Sequence, residues 1–168
     1  IFVKRHKKIL TEAVKKQAVV ILMVAIIVSI IAYMNKDFAG RVNGMLLTYL
    51  PYFVFIMYML NRGTTMTQAM FMNCDHSMLT YRIYRTPKVI LGLFKERLKT
   101  LIVVNLLPTL IIAIALPVLL FITGGTDNIL NYFILFISII SMSIFFSVHY
   151  LVMYYLLQPY NASTEMKS

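Results

Sequence analysis

Cys74, Asp75 and His76 stand side by side, and between them these types could supply a nucleophile, an acid and a base. Residues one or two apart on a helix point in different directions, so adjacency alone does not make a nucleophile and base pair. No further His or acidic residue follows at metal-ligand spacing, and the sequence has no GxxxxGK[ST] phosphate loop. The reading is therefore of a chain with no catalytic residues, no metal set and no cofactor of its own. His149 is the other reactive type in an unusual setting. It lies in a long apolar run, where an ionisable side chain raises a functional question by default. Asn105, Pro108 and Pro117, in the preceding apolar run, join it as candidate hinge or pathway residues.

Composition determines which elements hold these residues. The chain has 168 residues, 60% of them hydrophobic, against the roughly 45–50% of a soluble domain. Its mean hydropathy is +0.80. A membrane span needs about 20 predominantly apolar residues, and four fit: residues 18–34, 45–60, 101–122 and 132–157. The expected fold is all-α, a polytopic membrane bundle forming a single transmembrane domain. Pro51 should bend the second span near its start. Pro108 and Pro117 are candidate bend points in the third. In the fourth, Ser138, Ser141 and His149 share one face, with Ser143 and Ser147 roughly opposite, a pattern suited to close helix packing. Residues 35–44 and Gly124 to Asn128 read as short turns.

The net charge of +10 comes from blocks beside the spans, which points to a membrane surface rather than nucleic acid. Residues 1–17 form a basic amphipathic helix, with Phe2, Ile9, Leu10, Ala13 and Val14 on its apolar stripe and Glu12 paired to Lys16 one turn on. Arg62, Arg82, Arg85, Lys88, Lys95, Arg97 and Lys99 fall in the second block, residues 61–100. The opposite loops carry only Lys36 and Arg41 as basic residues, so the positive-inside rule places both termini and the 61–100 segment in the cytoplasm of a cell membrane.

The polar segment is where a soluble partner could be met. Thr65 to Gln68 fits a capping box, predicting a short helix that begins there. Met66, Ala69, Met70 and Asn73 share a face, with Phe71 and Met72 beside it, and methionine-rich faces suit a groove on another protein. Asp75 or Ser77 could cap a second short helix. Thr86-Pro87 reads as the cap and first position of a third, whose apolar face (Val89, Ile90, Leu93, Phe94, Leu98) would lie on the membrane before the third span.

The run MTQAMFMNCDHSMLTYRIYRTPKVILGLFKERLKTLIVVNLLP resembles the cytoplasmic signature of a group of bacterial ATP-binding-cassette exporter permeases, mostly from low-GC Gram-positive bacteria. Phe71, Asn73, Cys74, Asp75, Ser77, Leu79, Tyr81, Tyr84, Arg85 and Pro87 match its FxNCDxSLLxYxxYR core and following proline, and Met78 stands where leucine is usual. The match covers about a quarter of the chain; the spans agree only in hydropathy. The resemblance implies an ATP-driven exporter permease coupled to a separate ATPase, which would hold the ATP and Mg. The implied contact residues are Met66, Gln68, Met70, Phe71, Asn73, Cys74 and Asp75, supported by Tyr81, Arg82, Arg85 and Pro87. It further implies a second permease half or a homodimer partner. Such permeases have six spans per half, so four spans suggest a piece of a longer permease. Two other classes are weighed against it: an intramembrane enzyme using Cys74 or His149, and a membrane anchor that recruits a cytoplasmic protein without transport.

Overall fold

The computed structural model describes residues 2–75, 81–82 and 86–157, with side chains from Glu12 onward apart from those of Asn73 and Cys74. Among the described residues every regular element is helical. Helix α1 (Phe2–Met34) carries the basic stretch and the first apolar run without a break. Asn35 then caps α2 (Lys36–Thr48), its Oδ1 accepting the Phe38 amide at 3.1 Å. The expected polar turn over residues 35–44 is thus a capped helix. Asn35 supplies both the extended backbone and the acceptor that a helix start requires.

Pro51 has the expected effect, in a sharper form. It sits in a 3-10 turn, Leu50–Tyr52, before α3 (Phe53–Leu60), since its missing N–H and fixed φ suit a first-turn position. The path through α2 and the following helices bends by 70° at this break. Helix α4 (Gly63–Met70) and a π-helical turn, Phe71–Asp75, complete the polar segment's first half. Helix α5 (Pro87–Ile122) opens with Thr86 as N-cap and Pro87 in the first turn, as the sequence suggests. It then continues through Pro108 and Pro117 as one element. The proposed interfacial helix and third span are therefore one rod of about 54 Å at 1.5 Å per residue, against a hydrocarbon core of about 30 Å. Its end follows a Schellman pattern: the Gly125 amide reaches Leu120 O at 2.9 Å, and Gly124 takes φ +121°, the backbone sign that glycine tolerates. After the predicted turn, α6 (Leu130–Leu157) runs back.

Three segments are long and apolar enough to cross a membrane: Glu12–Met34, Pro87–Ile122 and Leu130–Leu157, or four if the bent α2 to α4 path makes one crossing. Helices α5 and α6 pack along their lengths, and three buried layers follow them. Leu46 packs with Leu120 and Leu135 at one end. Met57 meets Ile112, Ala113, Ile139 and Phe146 in the middle. Met66, Met70 and Phe71 meet Leu101, Leu151 and Tyr154 at the other end. From Leu46 to Met66 the chain therefore descends past the α5 stretch from Leu120 to Leu101, about 28 Å at a rise of 1.5 Å per residue. Asn43 Nδ2 donates to Gly125 O at 2.9 Å, joining α2 to the α5–α6 turn at the first end. Gln17 Nε2 donates to Leu60 O at 2.8 Å and so ties α1 to the chain just before α4.

Candidate functional site

The site begins where α3 stops. Asn61 has an extended backbone and is buried, so its amide groups need partners from neighbouring helices. Asn105 of α5 and Ser143 and Ser147 of α6 provide them. Asn61 Nδ2 donates to Ser143 O and Ser147 Oγ, while its Oδ1 accepts the Gly63 amide at 2.9 Å and Asn105 Nδ2 at 3.3 Å. Asn105 Oδ1 accepts the Arg62 amide at 3.0 Å, and its Nδ2 also donates to Ser147 Oγ. Two carboxamides thereby satisfy the first amides of α4, where the sequence pattern suggests a threonine and glutamine capping box. The predicted start at Thr65 is accordingly displaced: α4 begins at Gly63, and Thr67 Oγ1 donates back to Gly63 O inside the helix.

Gly63 is required here by space. A Cβ on it would stand 2.3 Å from the Tyr150 ring and 2.5 Å from Tyr150 Cβ, so α4 approaches α6 at backbone distance. The close approach turns Met66 and Met70 inward, each 1% exposed, together with Phe71. These three do not present the partner-binding face the sequence suggests, because α5 and α6 already cover them. Thr64, Thr65, Gln68 and Met72 are the outward residues of the same segment, the last three spaced to share a side.

The π turn ends on Asp75, which is buried. Arg97 of α5 meets it with both guanidinium nitrogens: Nη1 donates to Oδ2 at 2.6 Å and Nη2 to Oδ1. Tyr154 of α6 donates its hydroxyl to the same carboxylate. Arg97 Nη1 also donates to the Tyr155 hydroxyl at 2.9 Å, with the guanidinium carbon 5.7 Å from that ring's centroid. Asp75 thus fastens the segment to both long helices, through side chains 13% exposed on Arg97 and 7% on Asp75. The planar fork and low exposure make this a strong form of ion pair. Among the described residues it is the ion pair present; Glu12 and Lys16 do not close within 4 Å.

The remaining predicted residues divide by location. Asn105 and Pro108 are buried together beside a void of about 10 Å³ lined also by Met57, Thr109 and Ser143. Pro117 lies farther along α5, half-buried, and His149 is on the exposed side of α6 against Phe145 and Tyr150. The four hinge or pathway candidates therefore do not form one site. Of the two serine faces on α6, Ser143 and Ser147 point inward, whereas Ser141 and His149 point out. Gln68 is exposed; Tyr81 and Arg82 are exposed; Pro87 opens α5. Arg85, His76, Ser77 and the second short helix lie outside the described residues, as do the Asn73 and Cys74 side chains.

Arg97 is the residue sequence reasoning passed over. The available signal was its position, three residues after Phe94 and four before Leu101 on the face that packs, where an arginine needs a buried acid. Comparison with family models, curated proteins and solved structures finds no match, so the site's chemistry rests on this geometry alone.

Proposed function

We propose that the chain is membrane-spanning permease structure of an ATP-driven exporter of the ATP-binding-cassette type, with residues 61–100 receiving force from a separate ATPase subunit. The observation that carries the reading is the Asp75 clamp. A short segment bearing the exporter-like motif is fastened by one carboxylate to both α5 and α6, so displacement of the segment is passed to two spans. ATP and Mg belong to the partner, which closes on nucleotide and rocks the spans between two packings. A second permease half or a second copy completes the pathway, and nucleic acid has no part in it.

In this proposal α2 to α4 act as one bent crossing, giving four. The support is the sequence of buried layers from Leu46 to Met70 along about the thickness of a bilayer core. Lys15, Lys16, Arg62, Lys88, Lys95 and Lys99 then gather toward one end, which the positive-inside rule assigns to the cytoplasm together with both ends of the chain.

The docking face is assigned to Thr65, Gln68 and Met72 rather than to the buried methionines. Pull-down of a cognate ATPase tests this. Gln68→Asp with Met72→Asp should abolish capture while the chain remains monodisperse and helical; unchanged capture removes the docking assignment. Met70→Asp and Phe71→Asp are unsuitable probes, because each places a charge in the layer beside Leu101 and Leu151.

A further inference from the structure

Arg62 is held in an arrangement that the clamp and the docking face do not use. Its backbone is fixed at the start of α4 by Asn105, and its side chain crosses to α1, where Nε donates to Gln17 Oε1 at 2.6 Å. Gln17 is itself anchored by its Nε2 on Leu60 O. This strut holds the guanidinium by one edge and leaves both terminal nitrogens without a partner in the described chain. Arg62 lines an open groove of about 470 Å³ together with Ala13, Lys16, Gln17 and Val20. Lys16 is exposed there and, like Arg62, has no acidic partner among the described residues, although Glu12 is one turn away.

We infer that this groove binds the phosphate of an anionic phospholipid headgroup. A guanidinium held through Nε presents paired N–H donors in the geometry that phosphate oxygens accept, and the lysine adds charge without demanding a fixed orientation. The depth fits a lipid. Lys15 and Lys16 end the basic part of α1, and the apolar run begins at Ala18, so the groove sits where headgroups meet acyl chains. Exposed Val19, Val20 and Met23 continue from it as apolar surface for the chains. The inference requires the chain to lie in a membrane but is independent of the exporter reading.

Native mass spectrometry of the purified full chain tests it, with phosphatidylglycerol, phosphatidylcholine or inorganic phosphate added in separate arms. Wild type should retain phosphatidylglycerol about tenfold more tightly than phosphatidylcholine, because the choline ammonium offsets the phosphate charge beside Arg62 and Lys16. Arg62→Gln and Lys16→Gln should each remove most of that preference, and Gln17→Leu should weaken it with both charges still present. Lys88→Gln, the same charge change at an exposed position outside the groove, should leave it unchanged. Equal retention of the two lipids, or an equal loss in Lys88→Gln and Arg62→Gln, would overturn the site. Inorganic phosphate at millimolar concentration displacing the lipid completely would overturn the lipid assignment. Arg62→Gln keeps the backbone bond to Asn105, and unchanged helicity and monodispersity establish that its loss of lipid is local.

Discussion

Asp75 and Arg97 do for this segment what a hydrophobic contact cannot. A fork to a carboxylate specifies orientation as well as proximity, and Tyr154 adds a donor to the carboxylate while Tyr155 adds an acceptor for the guanidinium. Removing one member leaves the other charge buried. Asp75→Asn should therefore destabilise the packing of residues 63–75 by about 3 kcal/mol, read as faster amide exchange in α4. The double variant Asp75→Asn with Arg97→Met should cost less than the sum of the single changes; strict additivity would show that the pair does not act as a unit. Asn105 is the second such residue. Asn105→Ala strands the Arg62 amide and one Asn61 acceptor site, with an expected loss of about 2 kcal/mol in thermal or denaturant unfolding. Asp75 was legible as a member of a motif, but its partner was not. Arg97 sits in the run Lys95-Glu96-Arg97-Leu98-Lys99, where charge pattern alone reads as a solvated face, and only the packing of Phe94 and Leu101 separates it from its neighbours.

Helix α4 shows how an element can be placed by its surroundings rather than by its own sequence. The Thr65 to Gln68 pattern was a sound local signal, yet Asn61, two residues before Gly63, and Asn105 of α5 supply acceptors earlier in the chain, and Gly63 permits the close approach to Tyr150 of α6. The Asn105 and Tyr150 parts of that arrangement lie outside any window of neighbouring residues. Elements governed by local chemistry were readable: the bend at Pro51, the start at Thr86-Pro87 and the glycine turn after α5 all follow from backbone restrictions on proline and glycine. The continuity of α5 was not, because proline's lost amide bond is offset by the packing of the surrounding helices. Two glycines separate close packing from propensity. Gly63→Ala should cost about 1–3 kcal/mol, since the added carbon meets Tyr150 near its own backbone. Gly92→Ala, with nothing within 4 Å in the interior of α5, should be neutral or stabilising by about 0.5–1 kcal/mol. Equal effects in thermal unfolding would remove the argument for close α4–α6 approach.

For the whole molecule, the three buried layers turn a bent and interrupted stretch into a path along α5 and α6. The four crossings we propose would place Asp37 and Asp127 on one side of the membrane and Thr86 on the other. In a Cys74→Ser background, single cysteines at 37 and 127 should react with an impermeant thiol reagent from outside intact cells, and one at 86 only after lysis. Labelling at 37 and 86 from outside, with 127 reached only after lysis, would mean that α2 to α4 form a re-entrant loop. In the proposed permease the 61–100 segment both docks a separate ATPase and transmits force through Asp75. The most direct measurement is ATP hydrolysis by a cognate ATPase, assembled in vesicles with wild-type, Gln68→Asp/Met72→Asp or Asp75→Asn chain. The docking variant should fail to bind. Asp75→Asn should bind and lose the stimulation that the wild-type chain gives. Full stimulation by Asp75→Asn in a folded complex would contradict the account.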